Sequence, residues 1–253
     1  MEPSTKLHSG QSPSTGTEYA AMQHVPYHEA VGSLMYTSLA THPDISYAVA
    51  TVSCFSNNPG MPHWEAVKRI YCYLLGTKDL QLTYGGALSV LIGYADADSS
   101  MVEDCRAISG YAFLIDGGAV LWSSKKQEIV SLSMTESKYV AATHAAKEAL
   151  WLRSLIRELF APFDEPTILF SDNQSAIALT KDHQYHARTK HIDICFHFIR
   201  WVMENGKIRQ YGRRHPDKGL AVAESEALCR QTWPTSDLRG SVGIGKSPVV
   251  VPC

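Results

Sequence analysis

The sequence contains no apolar run of the roughly 20 residues that a membrane-spanning helix needs. Its six cysteines never form a CxxC pair, so neither a zinc knuckle nor a dense disulfide framework is indicated. The net charge is only -2, which excludes a polycation that coats nucleic acid by bulk charge. The N-terminus also lacks the basic and then apolar pattern of a secretory signal. These absences predict an intracellular protein, cytoplasmic or nuclear, that does not enter a membrane.

The chain has 253 residues, of which 45% are hydrophobic, enough to bury the core of one large domain or two small ones. Residues 1–25 are rich in Ser, Thr, Gly and Pro and are predicted to be a disordered tail, because they have little apolar surface to offset the entropy of ordering. Residues 26–86 are predicted to be a helical region, and residues 87–210 a domain of mixed strands and helices. Residues 211–253 are predicted to be a poorly ordered tail.

Two helices are predicted within the first of these regions. Pro43 and Asp44 begin one that continues through Val49 and Val52. The second has the sequence HWEAVKRIYCYLLG, in which apolar residues recur at helical spacing, and it ends at Gly76.

The periodicity then changes to an alternation of apolar and polar residues, which predicts strands. Asp116, Gly117 and Gly118 are typical of a tight turn that joins two of them. The predicted strands are LQLTY at 80–84, VLIGYAD at 90–96, AISGYAFLI at 107–115 and AVLWSS at 119–124, with QEIVSLS at 127–133 extending the sheet.

A long helix is predicted from Thr135 to Leu159, with core positions at Leu152, Leu155, Ile156 and Leu159. The elements predicted after it are the strand TILFSD at 167–172, the helix NQSAIALTK at 173–181, the helix RTKHIDICFHFIRWVMENG at 188–206 and a final short strand. This order predicts an α/β (α+β) fold, a mixed sheet with helices packed on its faces.

Three acidic residues stand at the ends of predicted elements. Asp96 and Asp172 each follow an apolar strand, and Glu136 begins the long helix. Carboxylates so placed can converge on one point, where their repulsion favours a bound cation. Oxygen ligands without Cys or His favour Mg²⁺ or Mn²⁺. Each residue also has a structural alternative: a turn for Asp96, a helix start for Glu136 and a helix cap for Asp172.

Charge is unevenly distributed along this part of the chain. Residues 87–180 contain 12 acidic and 7 basic residues, whereas residues 181–215 contain 3 acidic and 8 basic residues and five of the histidines. An acidic region that carries a candidate metal site, followed by a basic region, suits an anionic substrate.

Several long motifs resemble the RNase H domain of copia-type LTR-retrotransposon Pol polyproteins. The motifs are YADAD at 94–98, SGYAFLIDGGAVLWSSKKQEIVSLSMTESKY at 109–139, AAKEALWLRSLI at 145–156, SDNQSAIAL at 171–179 and HARTKHIDICFHFIR at 186–200. The upstream segments VGSLMYTSLATHPDISYAVA and HWEAVKRIYCYLLGT are similar to the connection that precedes this domain in the family.

The resemblance implies an RNase H-like fold preceded by a small helical connection. It implies hydrolysis of the RNA strand of an RNA–DNA hybrid by an Asp-Glu-Asp-Asp set that holds two Mg²⁺ or Mn²⁺ ions. Asp96 and Asp172 match the first and third members of that set, and Glu136 is the candidate for the second. Arg188, Lys190 and His191 would then contact substrate phosphates. The chain would ancestrally belong to a larger polyprotein with reverse transcriptase and integrase, of which it is a truncated remnant.

Two departures from the family pattern predict impaired activity. The family commonly has T-E-x-E-Y, and the second acidic position is Lys138 in this chain, which puts a positive charge where a cation must bind. Glu136 lies two residues back, about 200° around a helix, and can serve only if it is itself the ligand.

The second departure is at the C-terminal end. The family has a segment like M-V-A-D-x-x-T-K, whose aspartate is the fourth ligand, whereas this chain continues from Tyr211 as YGRRHPDKG. Codons permitted for these residues encode MVADILTKG in a shifted frame. The hypothesis is therefore that residues from about 211 onward are out of frame, through a small deletion or a wrongly assigned splice junction.

Three functions follow from these observations. The first is an RNase H-like domain with impaired hydrolysis, the second a non-catalytic module that binds hybrids, and the third an unfolded pseudogene product.

Overall fold

The structure is a computed structural model, and it describes residues 7–85, 90–98, 106–131, 133–159, 165–173, 175, 177 and 193–212. Three of the predicted features lie wholly or mostly outside these residues. They are the helix at 173–181, the substrate-contacting residues Arg188, Lys190 and His191, and the segment beyond 212.

Four helices form the N-terminal part of the fold. Their inward side chains make one apolar cluster that includes Val31, Leu34, Val52 and Val67. The Tyr27 hydroxyl is buried there and donates a hydrogen bond of 2.8 Å to the carbonyl of Val52. The helices are α1 (Gly16–Met22), α2 (Tyr27–Ala40), α3 (Ser46–Ser53) and α4 (Met61–Gly76), with 3₁₀ turns at Ser9–Gln11 and Pro43–Ile45.

Residues 7–25 differ from the disordered tail predicted for them. Leu7 is 7% exposed and packs into the cluster of the N-terminal helices. Helix α1 is capped reciprocally, since Thr15 Oγ1 accepts from the Glu18 backbone N–H and the Glu18 carboxylate accepts from the Thr15 backbone N–H. Such a capping box satisfies two backbone donors at a helix start. The cap and one buried leucine order a segment whose overall composition favours disorder.

The second part of the fold is a five-stranded mixed sheet in the order β3-β2-β1-β4-β5. Strands β1, β2 and β3 form an antiparallel meander, and β4 lies parallel both to β1 and to β5. The predicted α/β class with a mixed sheet is therefore confirmed. The strands are β1 (Ile92–Asp98), β2 (Ile108–Ile115), β3 (Gly118–Lys126), β4 (Thr167–Ser171) and β5 (Ile208–Gly212).

The turn predicted between β2 and β3 is present. Asp116 and Gly117 have φ values of 53° and 80°, in the left-handed region that a two-residue hairpin of this kind requires. Glycine adopts this conformation at no steric cost, and aspartate tolerates it better than most residues do.

Two predicted strands are absent from the described residues. The segment 80–84 pairs with no neighbour as a strand, and its apolar residues Leu80 and Tyr84 are 63% and 53% exposed. Tyr84 instead anchors the segment, because its hydroxyl donates to the carbonyl of Ala119 on β3. The alternation of apolar and polar residues at 80–84 therefore does not correspond to one buried face of a strand. The segment is held to the sheet by the contact of a single side chain, Tyr84.

The segment predicted to extend the sheet at 127–133 likewise forms no strand in its described residues. Gln127 is 3% exposed, and its amide donates to Ser109 Oγ on β2 and to the carbonyl of Ser137. These bonds turn the chain from the end of β3 into the next helix, so the backbone leaves the sheet at this point.

Helices α5 (Met134–Leu159) and α6 (Asp193–Glu204) cover one face of the sheet. Small residues at Ala142, Ala145, Ala146 and Ala149 are almost fully buried against Phe113 and its neighbours in the sheet, which lets α5 approach closely. Of the predicted core positions, Leu152 and Ile156 are buried and Leu155 packs at the margin, whereas Leu159 is 63% exposed. None of the described helices has both the length and the apolar character to cross a membrane.

The N-terminal helices contact the sheet at β3. Helix α3 packs against this strand, and the Trp122 indole N–H donates a hydrogen bond of 2.7 Å to the carbonyl of Ser38 on α2. The two parts of the fold are therefore joined by a specific bond between side chain and backbone.

Candidate functional site

Asp96 and Asp172 come together at the carboxyl ends of two neighbouring parallel strands. Tyr94 of β1 pairs with Phe170 of β4, and each aspartate lies two residues further along its chain. Because alternate residues of a strand share a face, both carboxylates emerge on the same side at the same level. The sequence prediction that these two residues converge agrees with their placement.

Lys138, near the start of α5, lies between the two aspartates. Its ammonium nitrogen Nζ is 2.6 Å from each carboxylate oxygen of Asp172 and 3.2 Å from Oδ1 of Asp96. The lysine side chain is 11% exposed, against 34% and 35% for the side chains of the aspartates. The three charged groups therefore lie together in a partly buried position, and the lysine side chain as a whole is the least exposed of the three.

The pKa directions of the cluster follow from its burial and its charges. Burial raises the pKa of Asp96, and the charge of Asp172 raises it further, while Lys138 and the Ala97 N–H oppose the rise. Burial alone would lower the pKa of Lys138, but its hydrogen bonds to Asp172 and Asp96 and their negative charges outweigh burial and raise it. The lysine is thus held in its charged form at neutral pH.

Glu136, the remaining predicted ligand, is in the first turn of α5 and is 7% exposed. Its backbone N–H donates to Ser133 Oγ at 3.2 Å, which is the arrangement of a helix start. Position 138, about 200° away around the helix, is the α5 position whose side chain reaches both aspartates. The metal-binding role predicted for Glu136 stays a prediction.

The start of α5 is held in place by Gln127, which the sequence prediction assigned to a strand and gave no role at the site. The side-chain NH₂ group of Gln127 donates hydrogen bonds to Ser109 Oγ and to the carbonyl of Ser137, which fixes the backbone immediately before Lys138. The side-chain oxygen Oε1 of Gln127 accepts a hydrogen bond from the Ser131 hydroxyl. A single glutamine between two predicted elements carries no pattern that would have identified this role.

The described residues do not fit a divalent cation. Within them, no group of three or more His, Cys, Asp or Glu side chains is placed to hold a metal ion. At the point where the two aspartates converge, the charge they face is the Lys138 ammonium. The geometry therefore disagrees with the Mg²⁺ or Mn²⁺ that the family resemblance implies.

Comparison with known proteins gives a consistent set of relatives. The chain is 45% identical over 205 residues to the retrovirus-related Pol polyprotein from transposon TNT 1-94 of Nicotiana tabacum, an overlap of 81% of this chain. It is 38% identical to the Pol polyprotein from transposon RE1 of Arabidopsis thaliana, over 98% of this chain. Its homologues over most of its own length are therefore Pol polyproteins of transposons. No protein-family model matches it.

The extent of these matches varies between relatives. The chain spans 15% of the tobacco Pol polyprotein and 16% of the Arabidopsis one. A secreted RxLR effector, protein 161 of Plasmopara viticola, is 46% identical over 134 residues, which are 94% of that protein and 52% of this chain. Among solved structures, LC11-RNase H1 in complex with RNA/DNA hybrid aligns at 15% identity and a TM-score of 0.36, over 55% of this chain and 99% of that one.

The match to the Arabidopsis Pol polyprotein bears on the segment from residue 211 onward. An alignment that covers 98% of the chain includes most of this segment. The alignments to the tobacco Pol polyprotein and to the one from transposon RE2 cover only 81% and 82% of the chain. The out-of-frame tail therefore stays a prediction, which the nucleotide sequence around Gln210 tests.

Proposed function

We propose that this protein binds RNA–DNA hybrids as the RNase H-like domain of a Pol polyprotein and that it has lost hydrolysis of the RNA strand. The observation that carries the proposal is the position of Lys138, between the two aspartates that match the family's metal ligands. The family activity requires Mg²⁺ or Mn²⁺ bound by this acidic set, and the set is here neutralised in part by a residue of the chain itself. The place of action would be the cytoplasm or the nucleus, with reverse transcriptase and integrase as the other parts of the polyprotein.

Binding of a hybrid is supported by the family and by the charge of the chain. Residues 181–215 carry 8 basic against 3 acidic residues. Within this segment Arg188, Lys190 and His191 are the proposed contacts to substrate phosphates. Contacts of this kind supply affinity that falls steeply as salt rises and do not need a metal ion. Binding and hydrolysis are therefore separable in this protein.

A hybrid assay tests the two halves of the proposal together. A labelled RNA–DNA hybrid is mixed with the full chain in Mg²⁺ or Mn²⁺, and binding is followed by fluorescence anisotropy and cleavage by gel. We expect salt-sensitive binding without cleavage above background. Binding should weaken when Arg188 and Lys190 are both replaced by alanine and stay unchanged in Asp96→Asn.

Two results would contradict the proposal. Cleavage of the RNA strand that disappears in Asp96→Asn would show that the aspartates still act in hydrolysis. Absence of salt-sensitive binding by a protein with a cooperative thermal melt would remove the binding function.

A further inference from the structure

We infer that Lys138 is a built-in counter-cation that takes the place of the divalent ion, and that the single change Lys138→Glu converts the cluster into a divalent-cation site. This inference rests on the proposed function, because it gives a reason for the loss of hydrolysis. Its tests need no nucleic acid.

The contacts of the ammonium group use its full hydrogen-bonding capacity. A lysine ammonium has three N–H donors and no acceptor. Three carboxylate oxygens lie within reach, the two of Asp172 at 2.6 Å and Oδ1 of Asp96 at 3.2 Å. The group therefore satisfies both aspartates at once, as a cation shared between two carboxylates does.

The charges of the cluster explain why such a cation is needed. Asp96 and Asp172 face each other from adjacent strands, and without a positive charge between them their repulsion would favour protonation of one. Lys138 supplies one positive charge that cannot diffuse away or be removed by a chelator. A second cation would have to approach an ammonium that already occupies the shared position.

The length of the side chain explains why glutamate at this position would create a metal site. In glutamate a carboxylate oxygen occupies the place along the chain that Cε occupies in lysine, one bond short of Nζ. A Mg²⁺ or Mn²⁺ ion bound about 2.1 Å beyond that oxygen would lie near the present position of Nζ. Oxygens of both aspartates already surround that position.

The backbone at this point does not depend on the lysine. Gln127 holds the carbonyl of Ser137 at 2.8 Å, and the Ser137 hydroxyl donates to the carbonyl of Met134. Replacement of Lys138 therefore leaves the start of α5 in place and changes the charge between the two strands.

The experiment measures Mn²⁺ binding by electron paramagnetic resonance in the full chain without nucleic acid. We expect the unsubstituted protein to show no saturable site. Lys138→Glu should bind one Mn²⁺, at least about tenfold more tightly than any residual binding by the unsubstituted protein, and its thermal melt should shift upward in Mn²⁺. Lys147→Glu, which makes the same two-unit change of charge on the exposed side of the same helix, is the control for net charge and should behave like the unsubstituted protein.

A second variant keeps the inference testable if Lys138→Glu does not fold. Lys138→Met removes the ammonium without adding a ligand, so its melting temperature should fall relative to the unsubstituted protein at neutral pH, because the two carboxylates then face each other without a cation. The inference is overturned if the unsubstituted protein binds one Mn²⁺ as tightly as Lys138→Glu. It is equally overturned if folded Lys138→Glu binds none, or if Lys138→Met melts like the unsubstituted protein at neutral pH.

Discussion

The ammonium of Lys138 lies 2.6 Å from both carboxylate oxygens of Asp172, although the two residues are 34 positions apart in the chain. The pair joins the start of helix α5 to the carboxyl end of strand β4, beside the end of β1 where Asp96 lies. A side chain of the protein thus holds together the two carboxylates that the sequence predicted to bind a divalent ion. The consequences of this substitution are open to measurement.

The two aspartates are expected to respond differently to amide substitution. Burial and the charge of Asp172 raise the pKa of Asp96, so Asp96→Asn removes a charge that the fold disfavours and should change the free energy of unfolding by less than about 1 kcal/mol. Asp172→Asn breaks the shorter, two-oxygen contact with Lys138 and should cost about 1–2 kcal/mol. Urea unfolding of both variants measures the difference, and a larger loss in Asp96→Asn would contradict the charge assignment.

Acid should weaken the N-terminal helices through His63. This residue is fully buried, stacks on Phe55 and accepts a hydrogen bond from the Gly60 N–H at Nδ1. Burial lowers its pKa below the ordinary value of 6.5, and the charge of His8 lowers it further, against the opposing effect of the His8 backbone. Because the folded-state pKa is the lower one, the stability that the neutral ring contributes is present above about pH 6.5 and is lost as the pH falls through the folded-state value.

The check on this prediction is a series of thermal melts from about pH 7.5 down to about pH 5. The melting temperature should fall over this range in the unsubstituted protein, and part of the decrease should disappear in His63→Gln, which keeps a hydrogen-bond acceptor but does not titrate. An identical pH profile in both proteins would show that His63 is not the group responsible.

Gly93 should tolerate no side chain. A Cβ atom on this residue of β1 would lie 2.4 Å from the ring of Phe113 and 3.0 Å from a methyl group of Leu169, both in the core. Gly93→Ala is expected to lower the free energy of unfolding by about 2–3 kcal/mol through overpacking. The matched control is Gly32→Ala on α2, where a Cβ meets nothing within 4 Å and helix propensity predicts a gain of about 0.5–1 kcal/mol. Equal effects at the two sites in chemical denaturation would refute the packing account.

The bond between Trp122 and Ser38 should couple the two parts of the fold. Trp122→Phe keeps an aromatic ring but removes the donor to the Ser38 carbonyl, which should cost about 1 kcal/mol. We expect the thermal melt of the variant to broaden as the N-terminal helices and the sheet unfold less cooperatively. A transition as sharp and as high in temperature as that of the unsubstituted protein would show that the bond contributes little.

Much of the fold was predictable because its patterns are local. The tight turn at Asp116 and Gly117 and the apolar strands before Asp96 and Asp172 each follow from a few adjacent residues. The position of Lys138 at the site came from the family motif, since a lone lysine near a helix start is unremarkable by composition.

The remaining differences have a common physical origin in contacts between distant residues. Tyr84 bonds to Ala119, Gln127 bonds to Ser109 and Ser137, and Leu7 packs into a core formed later in the chain. In each case the local sequence favours another state, a strand or a disordered segment, and a tertiary contact overrides it. Contacts between residues far apart in the chain produce no periodic pattern of apolar and polar residues, so a single sequence does not predict them.

Anomalous diffraction tests the central claim most directly. Crystals of the unsubstituted protein grown in Mn²⁺ would be measured at the manganese edge, and the density between Asp96 and Asp172 inspected. The account predicts no anomalous peak there and clear density for the Lys138 ammonium between the carboxylates. A manganese peak about 2.2 Å from oxygens of both aspartates, with the lysine turned away, would contradict it.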